Sequence, residues 1–128
     1  MQNKFFILLC MIFLHIIDDY KLQGILASMK QKKWWREQKE YKDLYKNDYL
    51  MALIEHAFSW TFMIMLPIAF TMNFNINWWL VAYVINMIIH AFVDDLKANR
   101  FKINLITDQL IHLVQIFITW LVFILEGC

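Results

Sequence analysis

The sequence predicts an all-α polytopic membrane protein. Its architecture is four transmembrane helices in an up-down bundle, with a short cytoplasmic amphipathic helix between the first and the second. Three observations carry this expectation. Hydrophobic residues make up 61% of the 128 residues and charged residues 18%, a more apolar balance than that of water-soluble domains. With only 2 Gly and 1 Pro, the composition excludes collagen, flexible linkers, turn-rich sandwiches and disorder. The apolar residues also fall into four runs of about 20 residues, the length that crosses a hydrocarbon core of about 30 Å at 1.5 Å per residue. A soluble bundle of buried helices is the competing architecture, but four such runs would leave it almost no polar outer surface. The chain reads as a single domain, residues 1–128.

The first span runs from Phe5 to about Ala27 and is broken by Asp18, Asp19 and Lys21. No small-residue cleavage site follows its apolar centre, so it reads as a retained helix rather than a signal peptide. The second runs from about Tyr49 to Met72, broken by Glu55 and His56. The third runs from Ile76 to about Leu96 and carries His90, Asp94 and Asp95 late. The fourth runs from about Leu105 to Leu125 and carries Asp108 and His112 early. Cys10 sits in an apolar run and Cys128 at the end, with no CxxC, so neither a disulfide framework nor a thiolate metal site is indicated.

Charge placement predicts orientation. Of the 12 Lys and Arg residues, 8 lie between Lys21 and Lys46, 3 more are Lys97, Arg100 and Lys102, and none lies between Asn73 and Asn77. The positive-inside rule puts both basic connections in the cytoplasm and both termini on the other side of an inner membrane. Trp78 and Trp79 fall where the non-cytoplasmic interface belongs. The segment 28–47 mixes Trp34, Trp35 and basic residues. That suits an amphipathic helix on anionic membrane lipids, or simply a solvated connection. No nucleic-acid partner is expected.

All 4 histidines lie inside the apolar runs. His15 and Asp19, His90 and Asp94, and Asp108 and His112 are each spaced i,i+4, which places each pair on one helical face. Alternating topology brings these groups and His56 to one depth, near the cytoplasmic end. Acids within a membrane usually face the bundle interior and have a function. Carboxylates at one depth must be protonated or neutralised by a cation. Imidazole nitrogen with carboxylate oxygen suits Zn, Mn or Fe. The expected ligands for one or two ions are His15, Asp19, His56, His90, Asp94, Asp108 and His112. Glu55, Asp18 and Asp95 are candidate general acids, bases or supporting residues, and Lys97 is a candidate contact to an anionic substrate. Gln23, Gln109, Gln115, Asn86 and Thr119 can orient ligands or bond between helices.

The stretch from His15 through Asp19 and Tyr20 to Leu22 and Gln23 resembles the H-x-x-x-D-F-x-L-Q opening of a family of small bacterial and phage membrane proteins, the domain-of-unknown-function 3307 family (DUF3307). His90, Asp94 and Lys97 resemble its second H-x-x-x-D followed by lysine. Asp108-Gln109 with His112 resembles its D-Q-x-x-H motif, and His56 its isolated histidine. Tyr20 stands where the family more often has Phe, and Asp18 and Asp95 are additions. The resemblance brings no settled activity.

The residues themselves suit a membrane-embedded metal-dependent hydrolase. It would act on a phosphoester, in a small molecule or a lipid, near the cytoplasmic face. A cation or proton transporter would use the same groups as a pathway. A phage accessory protein would hold a structural metal and bind a host membrane protein.

Overall fold

The computed structural model describes residues 4–39, 43–71 and 75–126. The described residues are mostly helical, with no strand among them. Helix α1 spans Lys4–Ile17 and runs directly into a π-helical turn, Asp18–Leu22. Short helices α2 (Leu26–Met29) and α3 (Lys32–Arg36) follow, then a 3-10 turn at Asp43–Tyr45. Helices α4 (Asp48–Ala69), α5 (Ile76–Ala98) and α6 (Leu105–Glu126) complete the chain. Three helical stretches, ending in or formed by α4, α5 and α6, are long and apolar enough to cross a membrane.

The first apolar run divides earlier than its composition suggests. Rather than continuing to Ala27, the helix turns at Gly24, which adopts φ +49. A left-handed backbone is costly for any residue with a Cβ. A Cβ placed there would meet nothing closer than Leu22 O at 3.9 Å, so strain rather than a clash sets the cost of substitution. Gly24→Ala is therefore expected to lower stability by about 1 kcal/mol, measured as a lower unfolding midpoint in detergent. An unchanged midpoint would show that the turn can be made another way.

The segment 28–47 is not one continuous amphipathic helix. It forms α3, of 5 residues, and the 3-10 turn at Asp43–Tyr45. Residues 40–42, within that expected helix, lie outside the described residues, as do Met72 of the second run and Cys128.

The long helices pack as a ring in which α1 touches α4 and α6, and α5 touches the same two. Leu8, Met11, Trp60, Ile64, Met65, Ile68, Tyr83 and Ile116 form the buried core. The outer faces are apolar as well: Val81, Val84, Ile88, Phe92, Leu110, Val114 and Ile118 are all exposed. A continuous apolar exterior of this kind suits lipid, not water.

Without a hydrophobic drive between helices in lipid, polar contacts and close packing hold such a ring. The Trp79 indole N–H donates to Met65 O at 3.0 Å and the Tyr83 hydroxyl to Phe58 O at 2.7 Å. The Trp120 indole donates to Lys4 O at 2.8 Å, tying the start of α1 to the end of α6. Pro67 lies inside α4. This core seals one end of the ring, and the polar residues collect at the other.

Candidate metal centre

Each long helix supplies its part of the site through helical spacing. In α4, His56 and Trp60 lie one turn apart. In α5, Asn86, His90 and Asp94 follow at successive turns, and in α6 Asp108, His112, Gln115 and Thr119 do the same. All four histidines are at most 1% exposed.

The π turn Asp18–Leu22 carries two adjacent buried acids. Its wider loop is closed by the Gln23 N–H donating to Asp18 O at 3.1 Å. In an α-helix, adjacent residues diverge by about 100°. Here Asp18 and Asp19 are both buried against the other helices. Single π turns inside α-helices are frequent at functional sites.

His15 is fully occupied. The Trp60 indole, which can only donate, bonds to His15 Nδ1 at 2.7 Å. The ring therefore carries its proton on Nε2, which lies 3.1 Å from Gln109 Oε1. The Gln109 amide then donates to Asp19 Oδ2 at 3.0 Å and to Asp108 Oδ2 at 3.2 Å. His15 thus orients Gln109, which in turn holds two acids.

Three donor atoms lie close to His56 Nε2 beside this network. His56 Nε2 lies 3.2 Å from His90 Nε2. It lies 3.4 Å from Asp19 Oδ1 and 3.4 Å from Asp94 Oδ2. His90 Nε2 is 3.8 Å from Asp94 Oδ2. The edges of a zinc tetrahedron with ligands about 2.0–2.1 Å from the ion are about 3.3 Å. Asp19 Oδ1 is buried and makes no hydrogen bond. Such an orphaned acceptor is costly unless something compensates it. These residues fit a metal ion.

Two overlapping groups emerge. Asp19, His56 and His90 bring one donor atom each within 4.8 Å of one another, and so do His90, Asp94 and His112. His90 belongs to both, with Nδ1 facing His112 Nδ1 at 3.2 Å. His112 Nε2 lies 3.3 Å from Asp94 Oδ1 and 3.4 Å from Asp108 Oδ1.

Outer contacts steer these donors. Ser59 donates to Asp18 Oδ1 at 2.6 Å, and Asp18 Oδ2 sits 3.7 Å from His56 Nδ1. That separation is longer than a hydrogen bond, and neither atom has another partner, so the carboxylate stands behind the distal ring nitrogen, where a ligating imidazole usually finds its support. Trp60 stacks on His90 with centroids 4.0 Å apart. Beyond His90, Asn86 donates to Thr119 Oγ1 at 3.0 Å and Gln115 donates to Asn86 Oδ1 at 2.8 Å. That polar stripe ends against the apolar core.

Two cations also belong to the site. Lys30, only 6% exposed, donates to Asp94 Oδ2 at 2.5 Å, and Lys97 donates to Asp108 Oδ2 at 2.5 Å. Four buried carboxylates (Asp18, Asp19, Asp94 and Asp108) therefore face two ammonium groups. With neutral imidazoles the site carries two uncompensated negative charges, the amount one divalent cation neutralises.

The expected residues divide accordingly. Asp19, His56, His90, Asp94 and His112 meet in the donor groups. His15, Asp18, Asp108 and Lys97 surround them. Two expected participants stand elsewhere. Glu55 is exposed, one position round the helix from the buried His56, so its side chain faces away from the donor groups. Asp95 pairs with Arg100 at 2.7 Å and accepts from Asn99 at 2.8 Å. It ties down the end of α5 instead of reaching the site.

Sequence reasoning missed Lys30 and Trp60. Lys30 was one lysine among many in a basic connection. The only hint was charge balance, since acids within the spans outnumber Lys97. Trp60 was detectable as a tryptophan far from either expected interface and one turn from His56.

No protein-family model, curated protein or solved structure matches this chain.

Proposed function

We propose that this chain is a membrane-embedded, metal-dependent hydrolase of a phosphoester near the cytoplasmic face of a bacterial or phage-encoded inner-membrane protein. In this reading α1 with its π turn supplies a fourth span. The bundle runs up and down, both termini are non-cytoplasmic, and the fold is that of the DUF3307 proteins its motifs resemble. The observation that carries the proposal is the buried Asp19–His56–His90 group, whose three donor atoms lie within 4.8 Å of one another, the number of protein ligands that leaves a metal a position for water.

A divalent Zn, Mn or Fe ion bound there supplies Lewis acidity and an activated water. The protein does the rest. Asp18 Oδ2 and His56 Nδ1, 3.7 Å apart and both without a hydrogen bond, would pair when His56 takes up an ion through Nε2. Asp108 Oδ1 is buried without a hydrogen bond and takes up the proton released from the attacking water. Lys97, half-buried at the rim, receives the phosphate oxygens in place of Asp108 Oδ2. The sealed, apolar far end of the ring favours this reading over a through-membrane ion route.

The test is metal analysis of protein purified in neutral detergent, combined with turnover of a chromogenic phosphodiester. One or two equivalents of metal and metal-dependent turnover are expected. Asp108→Asn should keep the metal and lower kcat at least about 100-fold, the usual size of a lost proton acceptor. Asp18→Asn should weaken metal affinity about 10–100-fold. Protein that binds none of the three metals after repletion would sink the reading.

A further inference from the structure

A second site lies on the connection between α1 and α4. Lys32, Trp35, Arg36, Lys46, Asn47 and Tyr49 line an open cleft of about 210 Å³. Three of these residues are cationic and none is acidic. Lys33, the neighbouring lysine on α3, points elsewhere and pairs with Glu37 at 3.7 Å. No described acid forms an ion pair with Lys32, Arg36 or Lys46.

The cleft is built rather than incidental. The Trp35 indole donates to Met29 O at 2.7 Å, and its ring stacks on Tyr45 with centroids 6.2 Å apart and planes 19° apart. The Lys32 backbone N–H donates to Asn99 Oδ1 at 2.7 Å, and Asn99 donates back to Lys30 O at 3.1 Å. These bonds pin α3 to the end of α5. The Lys32 ammonium is held 4.7 Å above the Tyr49 ring, a placement that favours a cation there. Asn47 precedes α4 without using its side chain as a cap, so its amide remains available to a ligand.

Two cationic side chains and a guanidinium converging on one opening recognise a phosphate group. Where the cleft sits selects the source. The exposed apolar face of α4 begins beside it, at Leu50, Met51 and Ile54, and Leu44 on the adjoining turn is 75% exposed. A headgroup in the cleft would have its acyl chains against that face. Aromatic and basic side chains together mark the headgroup level of a bilayer.

We infer that the Lys32–Arg36–Lys46 cleft binds the phosphate headgroup of an anionic lipid. The inference is independent of the metal centre, because no donor to the proposed ion lines the cleft.

The experiment uses the full chain in neutral detergent, titrated with dioctanoyl phosphatidic acid and, separately, with inorganic phosphate. The triple variant Lys32→Gln, Arg36→Gln, Lys46→Gln should bind the lipid at least tenfold more weakly. A second triple, Lys21→Gln, Lys33→Gln, Lys102→Gln, removes equal charge from exposed positions outside the cleft and should stay within twofold of the parent. Lys46→Glu alone, at an exposed position, keeps the test decisive should the cleft triple fail to fold; it should weaken binding at least fivefold. Unchanged affinity in the cleft variants, or an equal loss in both triples, would overturn the site in favour of diffuse surface charge. Inorganic phosphate binding as tightly as the lipid would overturn the lipid assignment.

Discussion

Replacing His90 with alanine is expected to abolish metal binding, with affinity lowered at least about 100-fold, more than a supporting residue alone is worth. His90 is the one residue common to both donor groups. Its Nε2 faces His56 and its Nδ1 faces His112. Removing the ring deprives Asp19 and His56 of a nitrogen partner and does the same to Asp94 and His112. It also leaves a cavity against Trp60, whose indole packs on the imidazole. His112→Ala makes the distinction quantitative. It reaches only the second group, so the Asp19–His56–His90 donors should still hold one ion. Metal content by mass spectrometry, with quenching of Trp60 fluorescence as an optical readout, separates the two variants. Equal metal content in His90→Ala and the parent protein would remove His90 from the coordination sphere.

The second large effect concerns Lys30. In the metal-free site its ammonium supplies Asp94 with a buried countercharge 2.5 Å away. Breaking a buried pair by removing one partner costs about 3–5 kcal/mol. Lys30→Met should therefore destabilise the metal-free protein by that order. The same substitution should tighten metal binding at least tenfold. An ion about 2 Å from Asp94 Oδ2 would lie within about 4.5 Å of an unmoved Lys30. Repulsion between a dication and an ammonium at that range is several kcal/mol at an effective dielectric near 20. The help Lys30 gives by orienting Asp94 is worth only about 1–3 kcal/mol. Repulsion wins, so the sign is fixed. Unfolding midpoints and metal titrations of the same variant check both halves. The double variant Lys30→Met, Asp94→Asn should cost less than the sum of the two singles, as expected for groups in direct contact. Strictly additive losses, or weaker metal binding in Lys30→Met, would contradict the countercharge role.

Much of the site was legible because helical periodicity is a local property. The i,i+4 pairs on α5 and α6 appear on shared faces, and His56 is buried with them, since a 3.6-residue turn places them there whatever their neighbours. Asp95 stands apart from the donor groups for the complementary reason. Spacing shows which residues share a face, but not which acid a nearby Arg100 will claim. His15 had the right spacing for a ligand, yet Trp60 and Gln109 occupy both its nitrogens.

The amino-acid sequence alone determined the helical class, the apolar exteriors of α4, α5 and α6, and which face of each carries the imidazoles and acids. Those follow from composition and from a repeat set by the backbone. Tertiary structure decided the rest: the burial of both Asp18 and Asp19 at the π turn, the return of Lys30 to Asp94 across 64 positions, and the sharing of His90. Each depends on atoms from distant segments meeting within a few ångströms. In the low dielectric of a packed bundle, such meetings decide whether a charge is compensated, and no local repeat encodes them.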